Sequence, residues 1–214
     1  MPDIEIGYVQ ALAPEIVVAA FGVLCLVAGI FRQRGWADLA KPLAFAGLLA
    51  GMAVTLWQGR ITGHVEEIYI DSFSWYIRLA LCAVGTIVVL SAWTLPATGR
   101  IPEMFSLMLF SIVGGMLTAS ADDLVLLFFA LELVSVPTYA MVAAGTNTAI
   151  SQEAGLKYFF LGALSSAIMV YGFSFIYGAA GNTRMFFGFA AEGAAVSRGI
   201  SQALPPSLPD NPAA

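Results

Sequence analysis

Two charged residues in the second half of the chain could carry proton chemistry, because each falls inside an apolar run. Glu132 lies near the middle of residues 124–144, and Lys157 lies near the start of the next run. An ionisable side chain at membrane depth costs about 3 kcal/mol on insertion scales, and such residues usually face a protein interior or water and belong to ion pathways. The pattern therefore favours a proton-relay role for Glu132. The alternative is a carboxylate that only bonds to a neighbouring helix.

The residues that follow Glu132 favour this interpretation. Ser135 and Tyr139 come three and seven positions later, on the same face of a helix. Pro137 cannot donate a hydrogen bond and clashes with the carbonyl of Leu133, which is left free beside Glu132. A carboxylate, two hydroxyls and a free carbonyl could order water. Pro137 could equally be a kink with no function.

Lys157 has two interpretations of equal weight. Glu153 precedes it by four positions, the favourable order for an ion pair on a helix. The lysine could therefore be a paired side chain that reaches the membrane surface, or it could transfer protons. From the helix rise we place it about 15 Å from the depth of Glu132, which is too far for a direct pair.

The composition requires a membrane to position these residues. The chain has 214 residues, of which 59% are hydrophobic and 11% charged, whereas soluble domains average about 25% charged residues. Six apolar segments each come near the ~20 residues that cross a bilayer. They are Pro14–Phe31, Leu39–Trp57, Phe73–Thr94, Met104–Ala119 (extending toward Pro102), Leu124–Ala144 and Ala154–Tyr177. The predicted fold is an all-α integral membrane protein with about six transmembrane helices.

The other polar residues have structural interpretations. Asp122 and Asp123 are expected to cap the fifth helix, where acids favour the positive end of the helix dipole. We interpret Cys25 and Cys82 as small core residues, and His64 lacks the neighbours of a metal site. The small residues Gly162, Ala163, Ser165 and Ser166 are expected to serve close helix packing alone. Without a basic cluster, a nucleic-acid partner is not expected, and without a basic N-terminal region no cleavable signal is expected.

The chain divides into three predicted regions. Residues 1–100 hold three helices, residues 101–178 hold helices four to six with Glu132 and Lys157, and residues 179–214 form a tail. Within the tail we expect a short interfacial helix over Met185–Ala195. A proline-rich segment follows, which cannot be helical.

Several pieces of the sequence resemble subunit N (subunit 2) of the proton-translocating NADH:quinone oxidoreductase, respiratory complex I. They are residues 12–16 (LAPEI), 119–124 (ASADDL), 131–139 (LELVSVPTY), 153–159 (EAGLKYF), 162–163 (GA), 171–172 (YG) and 177–178 (YG). The resemblance implies the first part of an antiporter-like fold, with Glu132 as a central proton-relay residue and Lys157 as the lysine of the sixth helix.

The resemblance also implies a setting for the chain. It implies a membrane subunit of a redox-driven pump in the bacterial plasma (inner) membrane, partnered by lipid and by other membrane subunits. NADH, FMN, iron–sulfur clusters and quinone would be used in those other subunits, and this chain would bind no cofactor or metal. A sodium/proton antiporter subunit and a structural or assembly subunit without pumping are the alternatives. A stand-alone enzyme is not expected, because the chain has no nucleotide loop or nucleophile–base set.

One departure from the family pattern stands out. The partner that the resemblance implies for Glu132 lies on a seventh helix, beyond this chain. We therefore expect a truncated chain or a protein made in two pieces, with a second polypeptide that carries the missing helices.

The distribution of Lys and Arg predicts the orientation in the membrane. Arg32, Arg34, Lys41 and Arg100 fall in links expected to face the cytoplasm, against Arg60, Arg184 and Arg198 on the other side, with Arg78 near the outer end of the third helix. Both termini should therefore lie outside. Reporter fusions at Thr98 and Ser207 should label opposite sides of the membrane, and labelling on one side would contradict this topology.

Overall fold

The computed structural model describes residues 7–30, 34–59, 63–65, 67–93, 101–145 and 148–185. These residues form seven helices and one short hairpin: α1 Tyr8–Ala11, α2 Ala13–Ile30, α3 Arg34–Gln58, β1 Gly63–Val65, β2 Ile68–Ile70, α4 Ser72–Ser91, α5 Ile101–Ser120, α6 Leu124–Ala144 and α7 Ala149–Ala180. Six of the helices, α2 to α7, are long and apolar enough to cross a membrane. The chain is thus an all-α integral membrane protein, as predicted, with a small hairpin in the link between α3 and α4.

The helix bounds differ most from the sequence prediction at two N-termini. Helix α3 begins at Arg34 instead of Leu39, and α7 begins at Ala149 instead of Ala154. The apolar runs mark only the part of a helix that suits lipid, and a helix can continue past them through polar turns. In α7 the side chain of Thr148 caps this polar turn by accepting a hydrogen bond from the backbone of Ser151 at 3.3 Å.

Helix α5 lies in the middle of the bundle, where it packs against α2, α3, α4 and α6. The buried core around it includes both cysteines, which are free thiols. The core residues are Val18, Cys25, Ala40, Ala44, Leu48, Cys82, Val89, Phe105, Leu109, Val113 and Met116. Helix α7 packs mainly on α6 at the edge of the bundle, and its apolar side chains are largely exposed.

The link between α5 and α6 is held from both sides by backbone hydrogen bonds. On one side, Asp122 N donates to Glu67 O at 2.8 Å, next to the hairpin. On the other, Leu124 N donates to Thr183 O and Met185 N donates to Asp122 O, both at 2.8 Å. Backbone groups that leave a helix at a membrane surface need such partners. The link therefore ties the start of α6 to the segment that follows α7.

Of the two acids in this link, Asp123 has the capping geometry that the sequence predicts. The Asp123 side chain accepts hydrogen bonds from Val125 N at 2.8 Å and from Leu126 N at 3.3 Å. Its other carboxylate oxygen accepts from the Thr183 hydroxyl. Asp122 is fully buried. Both acids thus have local structural partners at the start of α6.

A buried ion pair joins α2 to α4. Arg78 Nε lies 2.7 Å from Glu15 Oε1, with the side chains 2% and 3% exposed, and Arg78 Nη2 donates to Ala11 O at 3.2 Å. The sequence indicates Arg78 only as a charge that weakens the orientation bias. The structure shows that it neutralises Glu15 inside the bundle. The sequence signal was a charge in each of two apolar segments, Glu15 one residue and Arg78 five residues inside, but it does not show that the two meet.

The predicted tail elements fall almost wholly outside the described residues. The expected interfacial helix over Met185–Ala195 is described only at Met185, and the proline-rich segment lies outside.

Removing one member of the buried pair should destabilise the fold strongly. Arg78→Ala leaves Glu15 charged and unpaired, which should lower the free energy of unfolding by about 3–5 kcal/mol. Cys25 and Cys82 are the chain's two cysteines, and neither side chain is exposed. Their reaction with a maleimide in detergent during a temperature ramp therefore reports unfolding.

The exposed pair Glu153–Lys157 supplies the control, since its side chains are 63% and 72% exposed. Lys157→Ala should change stability by less than about 1 kcal/mol. The double variant Glu15→Gln with Arg78→Ala should lose less stability than the sum of the two single variants. Additive losses would contradict a direct pair.

Candidate proton site

Glu132 is half-buried in the middle of α6, on the side that meets α7. Its Oε1 accepts a hydrogen bond from the Ser166 hydroxyl of α7. Within the described part of the chain, no Lys or Arg lies at ion-pair distance from this carboxylate. A serine hydroxyl can both donate and accept, so the hydrogen bond can persist whether the carboxyl group is ionised or protonated. This Ser166–Glu132 contact is the centre of the candidate site.

Sequence reasoning missed the role of Ser166. Its residue type and neighbours predicted a small side chain that serves only packing, but the structure pairs its hydroxyl with Glu132 across the α6–α7 contact. The residue types alone could not reveal this, because Ser165 sits beside it and donates instead to Leu161 O of its own helix at 2.9 Å. Only the rotation of α7 against α6 decides which of the two serines faces Glu132.

Ser135 does not join the carboxylate. Its hydroxyl donates to Leu131 O, one turn back in the same helix, at 2.9 Å. Such a bond satisfies the hydroxyl locally. Ser135 shares a helix with Glu132 but has no contact with it among the described hydrogen bonds.

Pro137 is buried inside α6, which stays continuous from Leu124 to Ala144. The sequence predicts that it leaves the Leu133 carbonyl free. The contact that the structure shows here involves the next carbonyl, Val134 O, which accepts a hydrogen bond from the Ser111 hydroxyl of α5 at 3.3 Å. A neighbouring helix thus supplies a donor to the part of α6 that the proline weakens, as is typical of membrane helices.

Tyr139 packs against α7 rather than opening toward water. Its ring makes edge contacts with Tyr158 and Phe159, with centroid distances of 4.7 and 6.0 Å. Its hydroxyl lies directly against Gly162, where an added Cβ would come within 1.9 Å of the phenol oxygen. The tyrosine therefore sets the spacing of the two helices on the side of Ser166 that leads toward Lys157.

Lys157 lies away from Glu132 and pairs with Glu153 at 2.6 Å on the exposed surface of α7. Ser166 marks the level of Glu132 on α7, so the helix rise puts Lys157 about 14 Å away along the axis. The distance of about 15 Å predicted from the sequence is similar, although it assumes a later start for α7. The structure thus favours the paired, surface-reaching interpretation of this lysine and gives no direct Glu132–Lys157 contact.

Helices α5 and α6 approach closely on the side of α6 opposite to Glu132. A Cβ added at Gly114 would come 2.7 Å from Val134 N, 2.8 Å from Ala130 O and 2.8 Å from Leu133 C. These backbone atoms belong to residues that precede and follow Glu132 in the sequence. Near the C-terminal end of α6, a Cβ added at Gly155 of α7 would lie 2.5 Å from the Ala143 Cβ. Glycines therefore bring three helices close enough to define where the carboxylate sits.

Comparisons with known proteins find relatives over most of the chain. Residues 121–199 match a protein family described as NADH:quinone oxidoreductase/Mrp antiporter, TM. The chain is 38% identical over 197 residues to NADH-quinone oxidoreductase subunit N of Rhodospirillum rubrum, covering 89% of this chain and 40% of the relative. It is 35% identical over 186 residues to F(420)H(2) dehydrogenase subunit N of Methanosarcina mazei, covering 82% and 38%. The chain is a homologue of these N subunits.

Solved structures place the fold in the same group. A chain of respiratory complex I from Thermus thermophilus with bound aureothin matches with a TM-score of 0.68 and 29% identity, over 80% of this chain and 38% of that chain. The membrane-bound sulfane sulfur reductase, an archaeal respiratory membrane complex, matches in fold with a TM-score of 0.69. The chain thus spans about two fifths of the length of the relatives it matches.

The glycine contacts predict a graded response to added methyl groups. Gly114→Ala should destabilise the protein by about 1–3 kcal/mol, because its Cβ would meet the backbone of α6, which cannot move aside cheaply. Gly172→Ala in α7 is the matched control, since nothing lies within 4 Å of its added Cβ. It should be neutral or slightly stabilising, because alanine is the better helix former. Thermal unfolding followed by cysteine reactivity tests both, and equal stabilities would contradict the close α5–α6 contact.

Proposed function

We propose that the chain forms the first part of an antiporter-like membrane subunit in a redox-driven proton pump, and that Glu132 carries the proton. The observation that supports this most directly is a half-buried carboxylate in mid-membrane whose described partner is a neutral hydroxyl. A buried structural carboxylate is normally paired with a cation, as Glu15 is with Arg78 in the first turn of α2. Glu132 instead has a partner that serves equally well when the acid is protonated.

The proposed chemistry is the uptake and release of a proton by Glu132 beside the Ser166 hydroxyl. When Glu132 is ionised, the Ser166 hydroxyl donates to it. When a proton arrives, the acid can donate to the same oxygen, and the hydroxyl turns toward another acceptor. The proton leaves by the reverse step, so no bond other than O–H changes. Lys157, paired with Glu153 near the start of α7, supplies a second titratable group closer to the surface.

The complex and the membrane in which the chain works are proposed from its relatives. The relatives carry the names of NADH-quinone oxidoreductase and F(420)H(2) dehydrogenase subunits, and the matching structures are multi-subunit respiratory complexes. We infer that this chain works beside other membrane subunits and binds no redox cofactor itself, and that NADH, FMN, iron–sulfur clusters and quinone act elsewhere in the complex. We place it in the bacterial plasma membrane. A second polypeptide is one source of the helices that the longer relatives have.

Antiport of sodium against protons is the second candidate, because the description of the matched family includes the Mrp antiporters. The two functions share the carboxylate but differ in the ion that is moved. Flux that depends on sodium, in vesicles without electron donor, would favour the antiporter.

Glu132→Gln should remove most of the proton pumping while leaving assembly near normal. The amide keeps the size of the side chain and can still accept from Ser166, but it cannot take up a proton. If Glu132 only held α6 to α7, glutamine would serve nearly as well, since a neutral amide is less costly to bury than a carboxylate. The measurement is proton uptake by membrane vesicles, normalised to the content of the assembled complex.

Two further variants separate the roles. Ser166→Ala should lower pumping less than Glu132→Gln does, because it removes a partner and leaves the titratable group. Lys157→Ala should not reproduce the Glu132→Gln defect through loss of a direct pair, given their separation of about 14 Å along the helices. Normal pumping per complex in Glu132→Gln would leave only a structural role for Glu132.

A further inference from the structure

Two polar atoms near the start of α5 are buried without a partner. Glu103 Oε2 and Ser106 Oγ have no hydrogen bond among the described contacts, although each atom is shielded from solvent. The Ser106 residue is 1% exposed. Leaving a buried polar group unpaired costs about 1–3 kcal/mol. Such groups in native proteins usually have an internal water as their partner.

Ser106 differs in this respect from other hydroxyls of the bundle. Thr86, Thr118 and Ser135 each donate to the carbonyl one turn back in their own helix, at 2.7, 2.8 and 2.9 Å. The same bond is available to Ser106 through Pro102 O, but its hydroxyl does not make it. The Ser106 hydroxyl is therefore left without the partner that its own helix offers.

Glu103 lies close enough to Ser106 to share a partner with it. Glu103 and Ser106 are three positions apart, so their Cβ atoms lie about 5–6 Å apart on one helix face. A water molecule between them can reach both. The Glu103 carboxyl lies against Gly29 of α2, where an added Cβ would come within 3.4 Å of Cδ and Oε1 and 3.1 Å of the Pro102 Cβ. The carboxyl therefore packs closely against α2 on its Oε1 side, and the unpaired oxygen is the other one, Oε2.

We propose that Glu103 and Ser106 bind an internal water molecule and form a second proton-exchange site, at the α2–α5 contact. The water donates to the carboxylate and exchanges hydrogen bonds with the hydroxyl, and a proton delivered from solvent moves to the carboxylate and returns by the same O–H exchange. The role of this site in proton uptake rests on the function proposed for Glu132, whereas the bound water does not.

This site is distinct from Glu132. Gly114 lies at the level of Glu132, so Glu103 is about 16 Å away along α5. Ser111 lies between them along the helix and bonds to Val134 O next to Glu132. The α5 helix thus carries polar groups from its N-terminal end toward the middle of α6. The Glu103–Ser106 site is near the end of the helix from which a proton would be taken up.

The first test is structural and needs no transport. A high-resolution cryo-electron microscopy map of the chain in its assembled complex should show a water molecule within hydrogen-bond distance of both Glu103 and Ser106. A map in which these atoms pair with protein groups, or in which the space is empty, would overturn the proposal. Gly29→Ala should displace the water, because its added Cβ would press on the Glu103 carboxyl and shift that side chain.

The second test is functional. Glu103→Gln should lower proton pumping per electron transferred several-fold with normal complex content, and Ser106→Ala should lower it less, with Ser106→Thr restoring it. Ser165→Ala is the matched control, because that hydroxyl is exposed and bonded within its own helix. Normal pumping in Glu103→Gln would reject the exchange role even with the water present. Normal pumping in Glu132→Gln would reject the function proposed above, and the map would still decide whether the Glu103–Ser106 site exists.

Discussion

The contact of Gly114 with the backbone of α6 is the constraint on which the arrangement of the second half depends. No side chain separates α5 from α6 there, and the atoms it meets belong to residues 130–134. In lipid the helices gain little from hydrophobic burial against one another, so close van der Waals packing at small residues holds them together. With α6 fixed against α5, its opposite side carries Glu132 toward α7. The depth and direction of the carboxylate thus follow from a glycine on a different helix.

The buried polar groups of the bundle have two kinds of partner, and this difference underlies the function proposed for Glu132. Glu15 is balanced by Arg78, and hydroxyls such as Thr86 return to the carbonyls of their own helices. Each of these groups has a fixed partner inside the bundle, and Glu15 is held through Oε1 while its Oε2 accepts no hydrogen bond among the described contacts. Glu132 is different, because it has a hydroxyl instead of a cation as its described partner. A charged carboxylate at that depth is expensive, so an acid that alternates between charged and neutral forms accounts for the hydroxyl partner better than a fixed structural charge does.

The six membrane segments could be predicted from the sequence, because a run of about 20 apolar residues is longer than soluble core helices need and matches the thickness of a bilayer. The start of α6 was also predictable, since an aspartate before an apolar run satisfies free backbone N–H groups through local geometry. The pairing of Ser166 with Glu132 and of Glu15 with Arg78 could not be derived in the same way. Each depends on how one helix is rotated and shifted against another, and neither rotation nor shift leaves a periodic trace in a uniformly apolar sequence. The role of Glu132 itself remains a proposal that the fold makes physically reasonable.

Helix α7 is held in place at both ends, although one side of the helix is exposed. Its long apolar side chains are exposed along most of its length, including Phe160, Leu164 and Tyr171, and the relatives are more than twice as long as the region they share with this chain. Yet its position is fixed against α6 at Gly155 near one end and by the bonds of Thr183 to Asp123 and Leu124 at the other. Two fixed ends leave α7 little freedom to rotate or slide. The distance between Ser166 and Glu132 is therefore set by the packing of this chain, whereas the exposed side of α7 is the surface through which other helices could act on the carboxylate.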